Sequence, residues 1–171
     1  MRYLYYHGAV TPAGARNAAT LLNMAFKEGE AEVTLCICSD GGDITAGMGL
    51  FHFIQMLPIS VHTHAMSFCG SIAATIFLAG QRRTCTMDCV FTTHQGTYVE
   101  GPLIGQRTPN TSVFAEPFRN LLGWTTDEIN ARFGPADFRI HSGDSVSLKI
   151  THEVTDVKMG GQDTMVIVGI P

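Results

Sequence analysis

Charge is what this chain has least of. Only 15% of its 171 residues are Asp, Glu, Lys or Arg, against the quarter or so usual for a globular domain. Eleven basic and 15 acidic residues leave a net charge of −4, so the sequence carries no basic footprint for a phosphate backbone, and nucleic acid is excluded as a primary partner. Long apolar runs are also lacking. No stretch reaches the roughly 18 residues a membrane span needs. The opening MRYLYYHGAV has no basic segment followed by a long apolar one, as a secretory signal would. There is no internal repeat and no low-complexity segment. Among the five cysteines, Cys36, Cys38, Cys69, Cys85 and Cys89, no two form a C-x-x-C pair. Their odd number and apolar surroundings predict buried free thiols and a cytoplasmic location rather than disulfides. His62 and His64 would share one face of a strand, but no third ligand lies at metal-binding spacing, so they are read as structural and no metal is expected.

What is present is a core. With 45% hydrophobic residues and 18 glycines, the length and composition predict one folded domain, residues 1–171, and exclude disorder. So little polar surface also predicts that part of the exterior is buried against other subunits.

Strand and helix patterns alternate along the first half. Residues 2–6 read as a strand. Thr11 and Pro12 open a helix, with a capping hydroxyl and a proline in the first turn, and Ala15, Ala18, Ala19, Leu22, Ala25 and Phe26 recur at helical spacing until Gly29. Residues 33–38 (VTLCIC) form a second strand, 39–42 a tight turn, 44–56 a second helix and 59–64 a third strand. The small residues 67–70 lead into a third helix over 71–79, and 84–93 is strand-like up to His94. This is an α/β pattern with largely parallel pairing. Residues 96–120 are interrupted by Pro102, Gly105, Pro109 and Pro117 and predict an irregular excursion. Residues 125–133 (TTDEINARF) read as a short helix with acids in its first turn, 145–154 return to an apolar pattern, and 164–170 read as a last strand.

Four positions could carry chemistry. Ser71 stands at a helix start among small neighbours, where free backbone N–H groups and the helix dipole favour a developing negative charge. The turn Ser39-Asp40-Gly41-Gly42 follows a strand, and such glycines can aim N–H groups into a cleft. His94 ends a strand, where a base is held yet reachable. Asp137 could orient that base. Each has an ordinary structural explanation as well: a capping serine, a strand-to-helix turn, a hydrogen-bonded histidine, a turn aspartate.

In combination and in this order, the segments resemble one family closely, the proteolytic subunit of the Clp protease. That family has an S-P-G-G turn where this chain reads S-D-G-G-D-I-T-A-G-M. It has S-M-x-A-x-x-L-x-A-G where residues 71–80 read S-I-A-A-T-I-F-L-A-G, and a strand-end H-Q matched by His94-Gln95. Its fourth motif, D-R-F-L-S-A-x-E-A-V, is similar to D-F-R-I-H-S-G-D-S-V from Asp137. The resemblance covers roughly residues 3–154. It implies a ClpP/crotonase-like spiral of repeated β-β-α units and a serine-type endopeptidase acting on peptides or unfolded polypeptides. It implies a Ser71–His94–Asp137 triad, an oxyanion hole from the N–H groups of Gly41 and Ile72, and substrate contacts at Gly42 and Gln95. It implies no cofactor, and a homo-oligomer built on heptameric rings.

The departures are specific. Asp40 replaces the family's proline. The handle-like excursion, about 96–133, is shorter than the family's and broken by prolines, which leaves open whether one ring or two form. The chain begins almost at its first strand, with no axial loop of the kind that docks an AAA+ unfoldase, so that partner is not supported, and residues 155–171 have no clear counterpart. Two alternatives stay open: a catalytically silent ring subunit, and an acyl-CoA enzyme of the crotonase type using the same paired N–H groups.

Overall fold

The computed structural model describes residues 1–98, 100–108 and 111–168. Chain order is β1 (Arg2–His7), α1 (Pro12–Lys27), β2 (Glu32–Ser39), α2 (Ile44–Met56), β3 (Ser60–Gly70), α3 (Ile72–Leu78), β4 (Arg83–Cys85) and β5 (Val90–Thr93). There follow α4 (Ser112–Leu122), α5 (Thr126–Arg132), β6 (Phe138–His141), α6 (Ser142–Ser145), β7 (Glu153–Val154) and β8 (Thr164–Ile167). The sheet runs β6-β5-β3-β2-β1-β8, with β4 and β7 branching from β3. Every pairing is parallel except β5 with β6. This is the spiral α/β fold expected.

Local chemistry sets the boundaries. The Thr11 hydroxyl accepts from the Gly14 N–H at 3.0 Å, and Asp43 accepts from the Ala46 N–H at 2.7 Å, so both long helices begin at a side-chain cap. Thr125 and Glu128 satisfy one another's backbone N–H groups in a capping box that opens α5. On β2, Val33, Leu35 and Ile37 are buried together with Thr34 and Cys36, the continuous burial of a strand covered on both faces. All five cysteines are free, four of them buried and Cys38 partly so.

Three expectations are corrected. Residues 67–70 do not form a separate link; they continue β3, which bends past a register shift between Ile37 and Ser39 on its neighbour. The stretch 84–93 is two strands, β4 and β5, parted by a turn in which the Cys89 N–H donates to the Thr86 carbonyl at 3.1 Å. The excursion is not irregular throughout, because α4 occupies 112–122 with Pro117 inside it. A proline there removes one ladder bond. Burial of Phe114, Ala115, Phe118 and Leu122 outweighs that loss, and the Thr75 hydroxyl on α3 donates to the Phe114 carbonyl at 3.1 Å. Phe118 packs against Trp124 and Phe133, each with ring centroids 5.1 Å apart, tying α4 to α5. Of the residues singled out in the sequence, Pro109, Gly169 and Ile170 lie outside the described residues.

His64 is buried, its Nδ1 2.8 Å from the Thr84 hydroxyl. Burial pushes its pKa below the ordinary 6.5, opposed by the charge of Asp156. The folded state therefore favours neutral His64. Its contribution is fully present above about pH 6.5 and is lost as pH falls toward the lower folded value. His152 shifts the same way, by burial and then by Arg83 and Arg82. The unfolding free energy from urea titration is expected to drop on acidification below pH 6.5, by at most about 1.4 kcal/mol per pH unit for one proton. The drop should be shallower in His64→Gln, whose amide can still bond Thr84. An unchanged slope in that variant would remove His64 from the account.

Candidate active site

Three chain segments meet at one end of the sheet. Gly70, the last residue of β3, is in register with Thr92 on β5, and the Ser71 N–H donates to the Thr92 carbonyl at 2.7 Å. Ser71 is thus held beside the end of β5. On the other side, β5 and β6 pair antiparallel, with Thr93 opposite Phe138. The next positions outward along these two strands are His94 and Asp137. Sheet geometry thus sets Ser71 beside the end of β5, and His94 and Asp137 just beyond the paired ends of β5 and β6.

Ser71 sits in a strained turn. Its φ is +53°, in the left-handed region that a residue with a Cβ seldom enters. It precedes α3 with no side-chain capping bond. A strand-to-helix corner of this kind can present a side chain away from a sheet. Ile72 is the first residue of α3, so its N–H lacks an intrahelical acceptor.

Gly41 lies against the serine. A Cβ built on it would stand 2.5 Å from Ser71 Cβ, 2.9 Å from the Gly70 carbonyl oxygen and 3.2 Å from Ser71 Oγ. Only glycine permits this approach, and Gly41 also has a φ of +100°. Its N–H, however, is engaged: it donates to the Ser39 hydroxyl at 3.1 Å. Gly42 is fixed through its neighbours by the Val10 backbone, which donates to the Gly41 carbonyl and accepts from the Asp43 N–H, each at 2.8 Å. Asp40, which replaces a proline of the resembling family, is exposed.

The histidine–aspartate contact takes an unexpected form. Arg107, a residue the sequence did not single out, stands between the two. Its Nη1 is 2.7 Å from His94 Nδ1 and its Nη2 donates to Asp137 Oδ1 at 3.1 Å. Nη1 also lies 3.1 Å from both the Gln95 carbonyl oxygen and the Thr97 hydroxyl. Arg107 is held at this position by an isolated antiparallel bridge between Thr97 and Arg107 and by the Thr108 N–H donating to the Gly96 carbonyl at 2.8 Å. Gln95 is anchored from the far side by its N–H, which donates to the Gly134 carbonyl at 2.9 Å. No direct hydrogen bond joins Ser71 to His94, or His94 to Asp137, among the described residues.

Ser71 is partly buried, as are His94, Gln95 and Arg107, whereas Asp137 is exposed. The corner is therefore open to solvent. His62 and His64 lie elsewhere, on β3: His62 Nε2 is 3.4 Å from Glu32, and no group of three metal-ligating side chains occurs among the described residues.

Comparison with known proteins identifies the family. The family model for Clp protease matches residues 2–102. The ATP-dependent Clp protease proteolytic subunit 2 of Thermobifida fusca is 33% identical over 67 residues, covering 39% of this chain and 33% of that protein. The proteolytic subunit 1 of Streptomyces avermitilis is 31% identical over 65 residues, covering 38% and 30%. The matched segment spans about a third of the length of these relatives. In three dimensions the chain is similar to a mutant ClpP1 from Listeria monocytogenes, with a TM-score of 0.79 at 16% identity over 92% of each chain. It is also similar to the ClpP protease catalytic domain from Plasmodium falciparum, with a TM-score of 0.76 at 15% identity, covering 94% of this chain and 88% of the other. With a matched profile over more than half its length and this fold, the chain belongs to the Clp protease family.

Proposed function

We propose that this chain is a serine-type endopeptidase that cleaves peptides or unfolded polypeptides inside an oligomeric chamber. The observation that carries the proposal is the convergence of Ser71, His94 and Asp137 on one sheet end, with the serine in a strained corner against Gly41. In this reading His94 Nε2 takes the proton from Ser71 Oγ as that oxygen attacks the peptide carbonyl. The oxyanion is received by the N–H groups of Ile72 and Gly41, the latter after rotation of the Ser39 hydroxyl. His94 returns the proton to the leaving amine, and a water that it then deprotonates hydrolyses the acyl-enzyme on Ser71. Asp137 orients the imidazole and stabilises its charged form. Gln95 and Gly42 border the path of the bound chain.

Ring assembly belongs to the same proposal. Val113 and Leu121 on α4, and Met24 and Phe26 on α1, are exposed apolar side chains on a molecule poor in charge, the surface expected of a subunit that packs against copies of itself. Five free cysteines accord with a reducing, cytoplasmic setting. No helix of the described residues is long and apolar enough to cross a membrane.

A second reading, a catalytically silent ring subunit, draws on the engaged Gly41 N–H and the unlinked triad. One experiment separates the two: turnover of a fluorogenic peptide by the assembled protein, with its mass measured by light scattering. The peptidase reading expects turnover by a species several times the 18.5 kDa chain mass. An assembled but inert protein would favour the silent subunit, and a monomer at micromolar concentration would contradict both.

A further inference from the structure

We infer that Cys85 and Cys89 are a redox pair: a hydroperoxide converts the two buried thiols into a disulfide, which a thiol reductant reverses. The inference stands apart from the peptidase reading and uses none of its residues.

The two cysteines lie one at each end of the turn between β4 and β5. Cys85 closes β4 opposite Ala65, and Val90 opens β5 opposite Phe68. Cys89 therefore stands beside Ser67, two residues along β3 from Ala65. At the ~3.3 Å rise of a strand, the two Cα atoms are about 6–7 Å apart, a span a disulfide can bridge. The turn is pinned to β3 on both sides. The Thr86 N–H donates to the Ala65 carbonyl at 3.0 Å, and the Ser67 hydroxyl donates to Asp88 at 2.8 Å. The Cys89 N–H closes the turn on the Thr86 carbonyl at 3.1 Å. The sulfurs meet inside it, where the Cys89 thiol donates a hydrogen bond to Cys85.

The two sulfurs are unequal. Cys85 is fully buried, yet its pKa lies below the ordinary 9.0. The bond from the Cys89 thiol does most to lower it, burial opposes, and the Ser145 and Thr151 hydroxyls assist. Ser145 Oγ lies 3.9 Å from Cys85 Sγ and 2.7 Å from Thr151 Oγ1. Cys89 is pushed upward by the same thiol contact and by burial. Cys85 is thus the nucleophile, and Cys89 the thiol that keeps its proton until the second step. Cys36 and Cys69 lack such support: burial raises both, Cys36 to about 11.

The chemistry takes two steps with hydrogen peroxide. The Cys85 thiolate attacks one peroxide oxygen, the O–O bond breaks, and Cys85 becomes a sulfenic acid. The departing hydroxide takes up the proton that the Cys85 thiol released and leaves as water. The Cys89 sulfur then bonds to the Cys85 sulfur, the S–O bond breaks, and the second hydroxide takes the Cys89 proton. Two thiols and one peroxide give one disulfide and two waters; the sulfurs lose the two electrons that the peroxide gains. Access runs through the turn. Met87 is 82% exposed and Asp88 is exposed, so a three-residue turn is the cover, and such a turn opens locally at less cost than a core strand.

The test treats native, reduced protein with hydrogen peroxide, then unfolds it, alkylates the remaining thiols and maps each cysteine. Alkylation of Cys85 and Cys89 should fall about tenfold or more, while Cys36 and Cys69 stay reactive. The chain should carry a Cys85–Cys89 link within one protomer, lose the mass of two hydrogens, and recover both thiols in dithiothreitol. Cys85→Ala and Cys89→Ala should each abolish the link, and the wild-type map decides even where a variant folds poorly. Cys85 and Cys89 alkylated in full after peroxide, or Cys85 linked to Cys69 instead, would overturn the inference.

Discussion

Replacing Ser71 with alanine is expected to cut peptide turnover by at least ~10³-fold while leaving the fold and the assembly intact. Two features make the separation of these effects clean. Ser71 Oγ makes no capping bond to α3, so its loss breaks no structural contact there. What holds the corner is backbone: the Ser71 N–H to the Thr92 carbonyl, and the Ala74 N–H to the Ser71 carbonyl at 3.0 Å. Alanine retains both and accepts the left-handed φ about as poorly as serine does. The stability change should stay within about 0.5–1 kcal/mol. Turnover at the wild-type rate in Ser71→Ala, measured with the fluorogenic peptide, would dispose of Ser71 as the nucleophile.

Gly41→Ala should produce nearly as large a loss through geometry alone. The new methyl would meet Ser71 Cβ at 2.5 Å and the Gly70 carbonyl oxygen at 2.9 Å, at a φ of +100° that an alanine resists. Neither neighbour is the loose end of a side chain, so the serine corner or the turn must move. A displacement of about 1 Å in a reacting group can cost ~10²-fold in rate, and overpacking with backbone strain should cost about 1–3 kcal/mol of stability. Both are measurable on one sample, by turnover and by the urea midpoint. Wild-type turnover in a folded Gly41→Ala protein would show that the turn does not bear on the serine.

The first 95 residues were more legible than the rest, for physical reasons. Capped helices such as that opened by Thr11 and continuous apolar strands such as 33–38 carry their signals within a few residues. Ser71 and His94 fell within motifs of that kind. Helix α4 was hidden because Pro117 speaks locally against a helix, while what stabilises it, Phe114 and Phe118 against Trp124, Phe133 and the Thr75 hydroxyl, is tertiary. The strained φ of Ser71 has no sequence signature in a residue other than glycine. Nor does the position of Arg107, by sequence an ordinary surface arginine, between His94 and Asp137. The engagement of the Gly41 N–H by Ser39 is likewise a matter of one side-chain rotamer.

The central claim, that Ser71 is an activated nucleophile, is tested most directly by intact-mass analysis of the assembled protein after prolonged exposure to a fluorophosphonate. The account predicts one adduct per chain, mapped to Ser71 and absent from Ser71→Ala. Folded, assembled protein that gains no mass would contradict it.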